Sequence, residues 1–211
     1  MKSSIVLELL EQNRIEELKA KLQDEIFTES LKNTPDAKKR YSAMKKYFTL
    51  ADSSREICQR PCAIEYEGRE YNAFTNTYSL VLTTESCGEI KMFDTENGTY
   101  PEVGRLIDLT GPEGRIDFER VIAEAKSKGY KLKKAEMMSN KYLMHYNGSY
   151  FRIALVDSTY SIIADGQEAS VYHGGGSRGK LAIQNDIGIA VVMPVFMEGG
   201  PDEDAVVIEA E

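Results

Sequence analysis

The chain has 211 residues, and 34 acidic against 26 basic side chains leave a formal charge of −8. Hydrophobic residues make up 42% and charged residues 28%, so a chain of this size can bury a core without a metal or disulfide staple. This balance excludes a wholly basic nucleic-acid coat but leaves room for a basic face on an acidic body.

No apolar run approaches the roughly 18 residues of a membrane-spanning helix. The first ten residues carry Glu8 and no small-residue cleavage site, so they do not read as a signal peptide. Cys58, Cys62 and Cys87 are odd in number and are expected as thiols in a reducing cytoplasm. His145 and His173 lack metal-ligand spacing, so no metal and no cofactor are expected.

In chain order, Ile15, Leu18, Leu22 and Ile26 form one apolar stripe at helical spacing, and Asn13 with Glu16 fits a capping box. Asn33 to Asp36 is turn chemistry that opens a second helix, about Asp36 to Leu50. Ala37, Tyr41, Met44 and Phe48 line one of its faces. Its cations are Lys38, Lys39, Arg40, Lys45 and Lys46, against the single acid Asp36. Taken alone, such a run is an ordinary solvated face.

Ala63 to Glu67 and Tyr71 to Thr84 read as strand, with turns at Gly68-Arg69 and Asn97-Gly98. A connector from Tyr100-Pro101 runs to the Gly111-Pro112 break. Ile116 to Lys128 predicts an amphipathic helix with Phe118, Val121, Ile122 and Ala125 buried. Asp117 is its N-cap, Ile116 and Val121 a hydrophobic staple, and Gly129 its stop. Residues 115–134 hold seven cations against three acids. Further strands are expected at Tyr142 to Tyr146, Tyr150 to Leu155, Ala169 to Tyr172, Leu181 to Gln184 and Ile189 to Val195, with a short helix within Val156 to Ala164. The acidic stretch from Glu198 to Glu211 is expected to fray.

Gly174 to Lys180 nearly spells a phosphate-binding loop. However, Leu181 stands where a magnesium-binding hydroxyl is needed, and a strand follows where a helix must start. A glycine hairpin with two exposed cations, Arg178 and Lys180, is the better reading, and nucleotide binding through 174–180 is a minor alternative. No nucleophile elbow, HExxH or Cys–His arrangement is visible, so no catalytic residue is assigned and the chain is read as a non-enzyme.

Three segments carry a family resemblance. Lys180 to Asp186 followed by Ala190-Val191-Val192-Met193-Pro194-Val195 resembles the closing strands of the bacterial DNA polymerase sliding clamp, the beta subunit. Tyr100 to Ile107 resembles that family's interdomain connector. Ala73 to Leu80 resembles the clamp strand that reads Ala-Thr-Asp-Gly-His-Arg-Leu, with Thr77 standing where the family has Gly, Tyr78 where it has His and Ser79 where it has Arg. Together they cover about residues 36–195.

The resemblance implies an α+β, DNA-clamp-like fold, with antiparallel sheets and helices on one face. It divides the chain into an N-terminal helical segment (1–35), a partial clamp-like domain (36–107), a second clamp-like domain (108–197) and an acidic tail (198–211). It implies that Lys38, Lys39, Lys45, Lys46, Arg120, Lys126 and Lys128 face duplex DNA through non-specific phosphate contacts. It places a partner-peptide cleft at Thr75, Thr77, Tyr78, Leu80, Pro101, Arg105, Leu106, Val191 and Met193. The expected function is a processivity-factor-like, cytoplasmic tether in DNA replication, holding the peptide motif of a polymerase or other DNA-processing protein, with a homo-oligomeric ring as its possible form. The alternative is a clamp-fold module of a phage or mobile element that forms no ring.

Overall fold

The computed structural model describes residues 14–32, 34–51, 54–96, 98–111, 113–166 and 169–210, with Val6 and Leu10. Asn13 of the expected capping box, Asn33, Asn97 and Pro112 lie outside the described residues.

Among the described residues, four α-helices and ten strands follow in order: α1 (Ile15–Ser30), α2 (Pro35–Leu50), β1 (Cys62–Tyr66), β2 (Arg69–Thr75), β3 (Ser79–Thr83), β4 (Glu113–Arg115), α3 (Phe118–Ser127), β5 (Tyr142–Tyr146), β6 (Ser149–Arg152), α4 (Ile153–Ile163), β7 (Ser170–His173), β8 (Leu181–Gln184), β9 (Gly188–Val192) and β10 (Val206–Glu209). The fold is mixed α+β, built on one seven-stranded antiparallel sheet in the order β1-β2-β3-β9-β8-β7-β4. Strands from both expected units, 36–107 and 108–197, share this sheet through the β3–β9 ladder, which pairs Ser79 with Val192 and Thr83 with Gly188. A second sheet runs β10-β5-β6.

α4 lies at the centre. Its sequence, IALVDSTYSII, is apolar nearly all round, the pattern of a helix with no solvent face. The expected strand Tyr150 to Leu155 therefore stops at Arg152, and the helix begins three residues earlier than read. The hydroxyls of Ser158 and Thr159 donate to the Leu155 carbonyl, so these polar side chains stay satisfied inside. The main core joins α2, α3 and α4 to one sheet face through Tyr47, Phe74, Phe118, Leu155 and Val192. The connector covers the opposite face, where Leu80, Leu82, Val103, Ile189 and Val191 form a second apolar layer.

α3 begins as its sequence requires. The Asp117 carboxylate accepts the Arg120 amide at 2.9 Å, Ile116 and Val121 are both buried, and Gly129 ends the helix at φ 97°.

Three readings are corrected. The stripe on α1 does not face the core as a whole: Leu18 is buried, but Ile15, Leu22 and Ile26 are 46%, 41% and 70% exposed. α1 instead packs through Phe27, edge-on to Tyr41 of α2. Arg40 does not belong to the outer cationic face, because it is buried with Tyr41, Met44 and Tyr47. The acidic end is not frayed. Val206-Val207-Ile208 pairs parallel with β5, and Ile208 is fully buried.

Candidate functional site

The helix side of the sheet carries a groove of about 510 Å³ between α2 and α3. α2 presents Ala43, Lys46, Tyr47 and Leu50 to it, residues three and four apart on one face. Lys126 comes from α3 and Lys131 from the chain just after it, while Asp157 and Ser161 of α4 line its polar side. The Tyr130 hydroxyl donates to Asp157 at 3.1 Å, so that buried carboxylate is engaged within the wall.

The expected DNA-facing cations divide. Lys46 and Lys126 meet at this groove, though 80 positions separate them in sequence. Among the described residues no acidic group pairs with Lys38, Lys46, Lys126 or Lys131. Lys39 pairs with Asp36 at 3.3 Å, and Lys128 and Arg120 flank Glu124 at 2.7 and 3.5 Å. Bonding from Lys128 holds the Glu124 carboxyl below its ordinary range. Lys45 turns to α1, bonds both oxygens of Asp24 and lies over the Tyr41 ring. Burial opposes ionisation of Asp24, but its bonds from Lys45 and Tyr41 outweigh this and lower its pKa. These exposed pairs are individually weak, so a phosphate can compete for their lysines. Lys131, which the spacing did not select, follows the Gly129 cap, where no helical period continues to place it.

The residues of the expected peptide cleft divide between buried and exposed positions. Leu80 and Val191 are buried under the connector, together with half-buried Leu106. The connector is held there by two bonds, from Tyr100 Oη to the Ala73 carbonyl at 3.2 Å and from Lys180 Nζ to the Leu106 carbonyl at 3.0 Å. Pro101 and Arg105 lie outside, Arg105 paired with Glu102. Thr75 is buried, whereas Thr77, Tyr78 and half-buried Met193 gather at the β2–β3 turn, where the Met193 amide donates to the Tyr78 carbonyl at 2.9 Å.

That turn is strained. Thr77 has φ 73°, which a β-branched residue rarely adopts. Asn76 Oδ1 holds it by accepting the Tyr78 amide, the Ser79 amide and the Ser79 hydroxyl. Thr77→Gly is expected to raise unfolding stability by about 1 kcal/mol in denaturant titration; a decrease would show that contacts of the threonine side chain outweigh its strain.

The glycine hairpin is also corrected. Arg178 is exposed and lies over the Phe196 ring, but Lys180 is half-buried and spent on the Leu106 carbonyl. Beneath the hairpin is a Ser–His pair that sequence spacing did not bring together. His173 Nε2 and Ser149 Oγ are 3.0 Å apart. The Gly175 amide donates to Nδ1, so the neutral ring carries its proton on Nε2 and donates to Ser149, which donates on to the Gly176 carbonyl. A general base needs the opposite polarity, with the ring accepting from the hydroxyl. Both side chains are buried, so the pair anchors the hairpin.

Burial lowers the His173 pKa from its ordinary 6.5. Below that value the unfolded chain takes up a proton the folded chain resists, so this residue's effect on stability is lost as pH falls through 6.5. Unfolding titrations between pH 7.5 and 5 should show declining stability, with a shallower decline in His173→Gln. Equal slopes in both proteins would remove His173 as the cause.

The cysteines are buried, and burial pushes the Cys87 thiol up to about 12. Among the described residues, no cluster of His, Cys, Asp and Glu could hold a metal, and no helix is long and apolar enough to cross a membrane. No protein-family model, no curated protein and no solved structure matches the chain.

Proposed function

We propose that this protein is a clamp-like, non-enzymatic DNA-associated factor that grips duplex phosphates along the α2–α3 groove and tethers a partner protein there. The observation that carries the reading is the meeting of Lys46 and Lys126, from two distant basic segments, in one groove backed by antiparallel sheet. A second support is local. The residue aligned with the family's glycine, Thr77, holds a glycine-like backbone conformation. Contacts of this kind are independent of sequence, and their affinity comes from counterion release. The acidic remainder of the surface repels DNA and confines it to the basic groove.

Binding of a fluorescent 20-base-pair duplex should weaken with added salt, with a log–log slope of about −3 for three groove lysines. Lys46→Glu/Lys126→Glu should weaken binding about tenfold or more at low salt while the circular dichroism spectrum stays unchanged. A flat salt response, or full affinity in the double variant, overturns the reading.

A ring requires head-to-tail closure, for which the sheet offers its edge strands β1 and β4. The alternative is a module without a ring, in which the Asp24 of α1 on Lys45 lowers the charge of the basic side. Sedimentation over a concentration range separates the two, since only the module remains a monomer throughout.

A further inference from the structure

Past the end of α2, a second and smaller pocket of about 290 Å³ adjoins the groove, sharing only Leu50 with it. Leu50, Leu155 and Met137, all buried, form its apolar floor. Its lip is Tyr78 and Met138, which are 41% and 53% exposed, a high exposure for large apolar side chains. Two cations, Arg55 and Lys134, also line it, and among the described residues no acidic side chain lines it or pairs with either. The volume suits one or two aliphatic side chains and is small for a nucleotide. Methionine on the floor and lip lets the walls repack around different apolar shapes. The strained Thr77 holds the Tyr78 side of the mouth, and the Arg152 guanidinium lies 5.8 Å from the centre of the Tyr78 ring. Burial of the Tyr47 hydroxyl against Ser79 fixes the base of the same turn.

We infer that this pocket docks an acidic peptide segment of a partner protein, with leucine-type side chains seated on Leu155 and Met137 and flanking carboxylates on Arg55 and Lys134. Charge selects this occupant. An apolar floor flanked by Arg55 and Lys134, with no acidic side chain among the described lining residues, complements a peptide that alternates aliphatic and acidic residues, and it offers a basic segment no carboxylate partner. The pocket lies on the helix side of the sheet, apart from the buried Leu80–Val191 layer, and the inference does not depend on DNA binding at the groove.

The test is fluorescence anisotropy with labelled Gly-Asp-Asp-Leu-Leu-Asp-Gly. A Kd on the order of 10–100 µM is expected. Replacing both leucines of the peptide by serine, or its aspartates by lysine, should weaken binding at least tenfold. Arg55→Glu/Lys134→Glu should do the same, as should Met138→Asp at the exposed lip, with thermal melts confirming that each variant is folded. Lys46→Glu/Lys126→Glu should weaken peptide binding far less than Arg55→Glu/Lys134→Glu does, which separates failure here from failure of the duplex reading. No binding up to 1 mM peptide, or equal affinity for the serine peptide, overturns the inference. So does displacement of the peptide by duplex DNA. A wild-type dimer that Met138→Asp dissociates also overturns it, because a second copy of the chain is then the occupant.

Discussion

Gly188→Ala is expected to lower unfolding stability by about 3 kcal/mol and the melting temperature by roughly 6–12 °C. Gly188 is the first residue of β9 and pairs with Thr83 of β3. A Cβ there would lie 2.0 Å from the Leu82 carbonyl oxygen, 3.0 Å from its carbon and 3.1 Å from Ile163 Cγ2. The first two atoms are backbone inside a ladder and cannot rotate aside. Relief requires β9 to part from β3, or α4 to lift Ile163 from the sheet. The first of these opens the ladder that joins strands 62–83 to strands 170–192. It also loosens the hairpin before β9, where Asn185 Oδ1 accepts the Ile187 and Gly188 amides. Gly174→Ala is the matched control, because its nearest neighbour would be 3.6 Å away. Should the two variants melt at the same temperature as wild type, the close approach of β9 to Leu82 is not as described. Because α4, which carries Ile163, also packs directly against α2, duplex affinity should fall along with stability in Gly188→Ala alone.

The position of Gly188 illustrates what the sequence withholds. A lone glycine before an apolar strand signals close backbone approach in general, but not which backbone. Where signals were local, the reading came close. The α3 cap at Asp117 and stop at Gly129 placed that helix nearly to the residue, and β8 runs over the expected Leu181–Gln184. Where a face had to be chosen, period was insufficient. On α1, spacing groups Ile15, Leu22 and Ile26 correctly on one side, but α2 meets the side of Phe27 instead. In α4, a run apolar on every side carries no period at all, so its first turn was read as strand. β10 went unseen because three apolar residues sit among acids, and their pairing with β5 spans about 60 positions. The same holds for the candidate sites. Basic segments were legible as composition, but the meeting of Lys46, Lys126 and Lys131, and of Ser149 with His173, is set by tertiary packing.

Arg40 tests how far charge counted in a sequence can mislead, and its removal should be costly. The Arg40 side chain is 9% exposed. Its Nε and one terminal nitrogen bond Glu85 Oε1 at 3.0 and 2.6 Å, and the other terminal nitrogen donates to the Ala164 carbonyl at 3.0 Å. One guanidinium therefore ties α2 to the segment after β3 and to the C-terminal end of α4, where a cation also suits the helix dipole. Asn185 assists by donating to the Ile163 carbonyl at 2.7 Å. Arg40→Ala leaves a partly buried carboxylate and an unpaired carbonyl, for an expected loss of about 2–3 kcal/mol. The lower end applies because Glu85, 23% exposed, can turn toward water. Arg40→Lys recovers only part, since an ammonium cannot bond both groups in the fork geometry. Arg40→Leu/Glu85→Leu should cost less than the sum of its single variants, by about 1–2 kcal/mol of coupling. Denaturant titration of the four proteins measures this directly, and strict additivity would mean the pair is not coupled. The duplex assay supplies the second readout. A buried arginine releases no counterion, so variants at residue 40 that remain folded should keep the wild-type salt slope, whereas Lys46→Glu/Lys126→Glu flattens it.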